Sequence, residues 1–278
     1  MSEASWWPAP AKLNLMLRVV GRRDDGYHLL QTVFQFIDLT DELRFVTRAD
    51  GKVRRVNAVA GVDEDQDLVV RAARLLQSAA DCRQGVDIAL EKRIPMGAGL
   101  GGGSSDAATT LVALNVLWRC GLDKTALMAL GLQLGADVPI FIHGHAAWAE
   151  GVGEELVDVS PPECVYLLLV PQEHVDTGKV FQDPDLTRNS PRTTIRAFLA
   201  GERQNDCLAV VRERYPRVAQ AFDWLDERAK AQLTGTGACV FAECADADQA
   251  AGWLNELPAS IDGFLVAGMN RSPLDAMR

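Results

Sequence analysis

Apolar and polar side chains alternate strictly between residues 12 and 19. Leu13, Leu15, Leu17 and Val19 fall on one side, and Lys12, Asn14, Met16 and Arg18 on the other. That is the period of a half-buried strand. The 21–26 stretch, Gly-Arg-Arg-Asp-Asp-Gly, is a turn. Residues 29–39 and 42–47 predict two further strands. Residues 51–67 are polar, with an acidic cluster at Asp63, Glu64, Asp65 and Asp67. They read as a surface loop that ends with Asp65 or Asp67 near a helix N-terminus. Leu68, Ala72, Leu75, Leu76 and Ala79 recur at helical spacing and predict a helix over 68–79.

Residues 86–91 predict the next strand, and residues 105–118 and 125–134 two helices. An apolar run follows at Ile140, Phe141 and Ile142, then a short hairpin over 147–159 with Gly151 and Gly153 in its turn. Pro161 and Pro162 mark a break. Beyond it lie a continuous apolar strand at 165–170, helices at 207–213, 217–227 and 246–257, and a closing strand at 264–268. Strands and helices do not alternate one for one, which argues against a doubly wound parallel sheet. The pattern predicts two α+β lobes, 1–160 and 161–278.

Between the strand at 86–91 and the helix at 105–118 runs Pro95-Met96-Gly97-Ala98-Gly99-Leu100-Gly101-Gly102-Gly103-Ser104-Ser105. Glycine permits positive φ and lets the backbone approach a ligand closely. Ser104 and Ser105 are good N-caps for the segment behind them. A glycine-rich loop opening a helix turns free N–H groups and the positive end of the helix dipole toward one spot, which suits a phosphate. It is not a Walker A loop, because no Lys-Ser or Lys-Thr follows the glycines. Gly97, Gly99 and Gly102 do spell G-x-G-x-x-G. A dinucleotide-binding first strand would be nearly all apolar, however, and residues 86–94 alternate and end in Pro95.

Composition narrows the field. The chain has 278 residues, is 48% hydrophobic and 24% charged, and carries a formal net charge of -10. That balance is ordinary for a globular protein and disfavours nucleic acid or an anionic membrane as the main partner. It leaves room for an anionic small substrate held by a local nest of N–H groups and a lysine or two. No apolar run approaches a membrane span, and residues 1–10 do not look like a secretory signal. The six cysteines form no C-x-x-C pair and sit partly in apolar runs, as buried thiols in a reducing cytoplasm would.

Four further features carry candidate chemistry. Lys12 and Asn14 share the polar face of their strand. That face is either solvated or turned to a ligand; Pro8 and Pro10 pin its entrance, and no other charge follows until Arg18. Tyr27 and His28 directly after a turn either stack on and hydrogen-bond a planar ligand, or pack a sheet edge. Asp137, alone among small and apolar residues, is either a helix cap or a functional carboxylate. His143 and His145 either bind a metal or lie in a solvated loop.

Three stretches together resemble the three motifs of the GHMP small-molecule kinases, in that family's order and from end to end of the chain. They are Pro10-Ala11-Lys12-Leu13-Asn14, the glycine stretch 95–105, and Leu233-Thr234-Gly235-Thr236-Gly237-Ala238. The resemblance implies a two-lobe fold, with an N-terminal lobe like ribosomal protein S5 domain 2, a ferredoxin-like C-terminal lobe, and ATP and substrate meeting between them. Residues 22–32, 67–73 and 135–139 are similar to the branch of the family that phosphorylates a hydroxyl of a cytidine-diphosphate-linked sugar alcohol with ATP and Mg²⁺. That branch serves the non-mevalonate route to isoprenoid precursors.

By that resemblance Asp137 takes the hydroxyl proton, while Lys12 keeps the aspartate ionised and adds positive charge near the phosphoryl group. The 97–105 stretch would wrap the ATP phosphates, with the Ser104 and Ser105 hydroxyls turned to phosphate or Mg²⁺. Tyr27 would stack on the cytosine, His28 would hydrogen-bond it, and Phe181 would close over its other side. Asn14 and Thr177 would touch the substrate near the reacting end, and Gly235, Thr236, Gly237 and Ala238 would line its diphosphate. Asp67 stands where relatives commonly have an asparagine near the adenine, and Gly103 where many have serine. No acidic residue identifies itself as the Mg²⁺ ligand. The expected assembly is a monomer or weak homodimer in the cytoplasm. The alternatives are a kinase for a homoserine- or mevalonate-type alcohol, which would have no use for the Tyr27-His28-Phe181 set, and a nucleotide-binding protein without activity, against which the Lys12 and Asp137 pair speaks.

Overall fold

The computed structural model describes residues 5–24, 26–57 and 63–277. In chain order the first part comprises β1 (Trp6–Arg22), β2 (His28–Arg48), β3 (Val53–Arg55), α1 (Leu68–Ala79), β4 (Gly85–Glu91), α2 (Gly102–Leu117), α3 (Lys124–Leu134), α4 (Val138–His143), β5 (Ala147–Glu150) and β6 (Glu155–Asp158). The second comprises β7 (Val165–Pro171), α5 (Thr177–Gln182), α6 (Ile195–Leu199), α7 (Leu208–Arg214), α8 (Pro216–Asp226), β8 (Gln232–Leu233), β9 (Val240–Cys244), α9 (Ala247–Leu254) and β10 (Ile261–Met269). Strands and helices are mixed, and β3 on β4 is a parallel pair within a mainly antiparallel arrangement. This is the α+β class that the pattern predicts.

The spine of the sheet is β2. One of its edges pairs antiparallel with β1. The other takes β5 at residues 32–34, β10 at 36–37 and β4 at 42–48. The strand order β3-β4-β2-β10-β7-β9-β8 therefore joins the two halves of the chain through β10. Ile37 faces Ala11 of β1 on one side and Gly268 of β10 on the other.

Three apolar clusters follow from this layout. One lies between the first sheet and α1 to α4, with α2 buried along residues 105–114 at its centre. Another lies between β7, β9 and the helices α7 and α8. The third sits between them and joins Leu13 and Leu15 of β1 to Tyr166 and Phe241. It also holds Ala98 and Leu100, so the glycine stretch rests on packed sheet on its inner side.

The helix over 68–79 forms as predicted, capped by Asp67, whose carboxylate accepts from the Val69 N–H at 2.9 Å. The hairpin over 147–159 and the strand at 165–170 also form. Four details differ. The polar side of β1 is not half-exposed, because loops from distant parts of the chain cover it: Lys12, Asn14 and Met16 are all buried. Residues 29–39 and 42–47 make one strand. The intervening Asp41 is fully buried, and its carboxylate is satisfied by the N–H groups of Arg93 and Ile94 and by Lys92. Three residues of the predicted 51–67 loop form β3. Ser104 and Ser105 do not cap α2, which starts at Gly102 behind Gly101 in left-handed conformation; both serines lie inside its first turns.

All six cysteines are free, three of them buried. No helix among the described residues is long and apolar enough to cross a membrane.

Candidate active site

The middle of β1 carries Lys12 and Asn14 inward. The Lys12 backbone N–H donates to the Leu100 carbonyl at 3.0 Å, which ties β1 to the glycine stretch. Its ammonium group donates to Asn14 Oδ1 at 2.5 Å and to the Gly99 carbonyl at 3.2 Å. It also lies 3.3 Å from Asp137 Oδ2. Asn14 is fixed in turn: its amide donates to Thr32 Oγ1 at 2.8 Å, and its backbone N–H donates to Thr234 Oγ1 at 3.0 Å. Lys12 and Asn14 are both buried.

Asp137 stands at the N-cap position of α4 but makes no capping hydrogen bond, and its backbone is already helical. Its carboxylate is turned to Lys12 instead and remains 37% exposed. A carboxylate open to a cavity with an ammonium group alongside has the form needed to accept a proton from a bound hydroxyl.

The glycine stretch arches over this pair, and two of its glycines are required by space as well as by conformation. Gly99 has φ +75°, and a Cβ there would sit 2.6 Å from the Thr234 carbonyl oxygen and 2.8 Å from that of Gly237. Gly101 has φ +73°, and a Cβ there would meet the Phe141 ring at 2.8 Å and Lys12 Cε at 3.1 Å. The arch is bonded to the second small-residue loop by the Cys239 N–H donating to the Ala98 carbonyl at 3.1 Å.

The arch separates two cavities. The larger, about 620 Å³, holds Lys12, Asn14 and Asp137 at one end and Tyr27, His28 and Phe181 at the other, with Thr177, Gly235 and Thr236 along its side. The smaller, about 390 Å³, is lined by 66–68, Leu90, Lys92, 95–104 and Asp106. Gly99, Gly101 and Ser104 face both. At the far end of the larger cavity His28 and Phe181 stack, with ring centroids 5.0 Å apart and planes at 26°. Tyr27 stands 63% exposed at the rim. Burial, Arg188 and Arg22 together lower the affinity of His28 for a proton below the usual imidazole value.

The descriptions "GHMP kinases N terminal domain" and "GHMP kinases C terminal" match residues 67–145 and 188–262. A Shewanella halifaxensis protein named 4-diphosphocytidyl-2-C-methyl-D-erythritol kinase is 54% identical over 269 residues, 96% of this chain and 95% of its own. A Pseudomonas aeruginosa protein of the same name is 55% identical over 267 residues, again 96% and 95% of the two chains. The chain belongs to the GHMP kinases. A crystal structure titled 4-(cytidine 5'-diphospho)-2C-methyl-D-erythritol kinase superposes with a TM-score of 0.82 at 33% identity, covering 95% of this chain and 99% of its own.

In this GHMP kinase the three sequence motifs meet at one place. Lys12, Asn14, Tyr27, His28, Asp137, Thr177, Phe181, Gly235 and Thr236 all line the larger cavity. Pro95, Met96, Gly97, Ala98, Leu100, Gly102 and Gly103 line the smaller one. Thr177 and Thr236 share a hydrogen bond at 2.8 Å across the two loops that bear them. Ser105 and Gly237 line neither cavity and are buried. The Ser105 hydroxyl has no hydrogen-bond partner among the described residues. Asp67 borders the smaller cavity, paired with Arg55. His143 bonds to Asp158 at 2.5 Å, and among the described residues no group of three or more His, Cys, Asp or Glu is arranged to hold a metal.

Two groups escaped the sequence reading. The first is a buried cluster under the arch, in which Lys92 bridges Asp41 and Asp106. Burial pushes the Asp106 carboxyl up to about 7, against the pull of Lys92. Its three members come from β2, the connection between β4 and α2, and α2 itself, so nothing local marks them. The second is Arg188, in a loop rich in Asp and Pro, which reaches His28.

Proposed function

We propose that this protein transfers the γ-phosphoryl group of ATP to a hydroxyl of 4-diphosphocytidyl-2-C-methyl-D-erythritol, the compound for which its relatives are named. The observation that carries the reading is the Lys12–Asp137 pair, 3.3 Å apart, beneath a glycine arch that walls one cavity from another.

On this reading ATP occupies the smaller cavity, and its phosphates follow the arch past Gly97 to Ser104 toward Lys12. The nucleotide-linked alcohol occupies the larger cavity. Its cytosine lies among Tyr27, His28 and Phe181, its diphosphate along Gly235 and Thr236, and its reacting hydroxyl near Asn14, Thr177 and Asp137. Asp137 accepts the hydroxyl proton as the oxygen attacks phosphorus. Lys12 faces the charge that spreads over the transferring group, and positioning plus such charge stabilisation is most of what phosphoryl transfer requires. Lys12 itself is held in place by Asn14 and the Gly99 carbonyl.

Mg²⁺ takes hard oxygen ligands and keeps much of its shell from phosphate and water. The Ser104 hydroxyl, on the wall that both cavities share, fits that donor chemistry and would hold the ion. When bound, the ion neutralises phosphate charge.

A coupled ADP-release assay tests the reading, with the cytidylyl compound set against homoserine, mevalonate and galactose. Turnover confined to the cytidylyl compound is expected. Turnover on a plain alcohol would keep the kinase and discard the cytosine pocket. ATP binding without turnover on any of them would discard the activity.

A further inference from the structure

Arg188 makes four hydrogen bonds of two kinds. Nη1 donates to the Leu186 carbonyl at 3.0 Å, and Nη2 donates to the carbonyls of Phe181 and Asp183 at 2.9 and 2.7 Å. These fold the loop behind α5 around the guanidinium. The third guanidinium nitrogen, Nε, donates toward His28 Nε2 from 3.3 Å.

A guanidinium group stays protonated in proteins and has donors only. The His28 nitrogen that faces it must therefore accept, and so carries no hydrogen. A neutral imidazole with a bare Nε2 bears its hydrogen on Nδ1. The ring cannot readily take a second proton, because that proton would have to sit between Nε2 and the Arg188 donor. Arg22 adds a second positive charge nearby, and the ring is partly buried, which acts in the same direction. Phe181 lies against the face of the ring and limits its rotation. Nδ1 has no partner among the described residues, and His28 lines the larger cavity.

We propose that Arg188 is a specificity-determining positioning residue: by donating to His28 Nε2 it fixes the Nδ1–H tautomer, so the cavity offers a fixed donor that selects cytosine over uracil. This rests on the reading of the larger cavity as a pyrimidine nucleotide site. Cytosine presents a bare N3, an acceptor, on its pairing edge, whereas uracil carries a hydrogen there. A fixed donor satisfies the first. Against the second it leaves two donors facing each other away from water, and sites that hydrogen-bond one ligand in this way reject the mismatched analogue strongly.

Two measurements test it. The first needs no substrate: ¹⁵N NMR of the histidine side chains of the intact protein near pH 7.5, with the His28 signals identified by their loss in His28→Gln. The expected result is a protonated Nδ1 and a bare Nε2, changing to a tautomer mixture in Arg188→Met. A wild-type His28 with hydrogen on Nε2, or on both nitrogens, overturns the proposal. The second compares kcat/KM for the cytidine- and uridine-diphosphate-linked forms of the alcohol. Wild type should prefer the cytidine form by about 100-fold or more. Arg188→Met should narrow that ratio at least about tenfold by raising KM for the cytidine form, with KM for ATP unchanged.

Equal loss on both forms, with the ratio intact, would mean that Arg188 only braces its loop, and would overturn the proposal. If wild type turns over neither form, the functional reading fails by itself, whereas the tautomer measurement still decides what Arg188 does to His28.

Discussion

Replacing Gly99 by alanine puts one methyl group at the most crowded point of the arch. Its Cβ would lie 2.6 Å from the Thr234 carbonyl oxygen and 2.8 Å from that of Gly237, both backbone atoms. That loop cannot retreat freely. The Asn205 amide donates to the Leu233 and Gly235 carbonyls, and Cys239 N–H donates to Ala98. Gly99 also has φ +75°, which costs an L-residue about 1–2 kcal/mol. Overpacking adds about 1–3 kcal/mol, so the two together come to about 2–5 kcal/mol. For a chain of this size each kcal/mol lowers Tm by about 2–4 °C, so a drop of about 4–20 °C is expected in a thermal melt.

Whatever strain the protein relieves by shifting the arch is then paid in turnover. A displacement of about 1 Å at a site that works by positioning costs on the order of 100-fold. Gly103→Ala is the matched control for the melt alone, because Gly103 also lines the smaller cavity. That residue is exposed in the first turn of α2, a Cβ there would find nothing nearer than Leu68 Cδ1 at 3.4 Å, and alanine should stabilise by about 0.5–1 kcal/mol. Gly99→Ala with the Tm and the KM for ATP of wild type, or two variants with the same Tm, would refute the reasoning.

Asp137→Asn should lower kcat by about 10²–10⁴-fold while ATP titration still shows binding, and full activity would remove the proton-acceptor role. Tyr27→Ala should raise KM for the nucleotide-linked alcohol and leave KM for ATP alone; an unchanged alcohol KM would argue against a stacked base. Asp106→Asn should alter the pH dependence of stability in urea titrations of the ligand-free protein. The native carboxyl titrates at about 7 against 3.8 unfolded, so between those values the native state holds more protons, and wild-type stability falls as pH rises through the window. The variant should therefore match wild type most closely near pH 3 and gain on it up to about pH 7, by on the order of a few kcal/mol. A difference that stays flat with pH would contradict the burial argument.

Local signals were legible where one element carries them whole. The helix over 68–79 shows its apolar stripe and its Asp67 cap within a single stretch, and it formed with the predicted bounds. Burial of the Lys12 and Asn14 face was not legible, because what covers it comes from the glycine arch and from the loop around Thr234. The same distance in sequence left Asp137 undecided between cap and carboxylate. In three dimensions it makes no capping bond and faces Lys12 instead. Asp41 misled the strand prediction, since a buried carboxylate satisfied by Arg93, Ile94 and Lys92 reads locally as a break. Arg188 gave no local sign at all. A guanidinium among Asp and Pro residues reads as surface until the loop is seen to close on His28.

The wall formed by Gly99, Gly101 and Ser104 has a thermodynamic consequence. A ligand on either side presses on the same backbone, so whatever one does to order that backbone is felt by the other. Linkage makes the effect reciprocal: the factor by which nucleotide changes the affinity for the alcohol is the factor by which the alcohol changes the affinity for nucleotide. A partition built from three shared residues is thus also a coupling element, and each half of the reaction is weighed in the presence of the other.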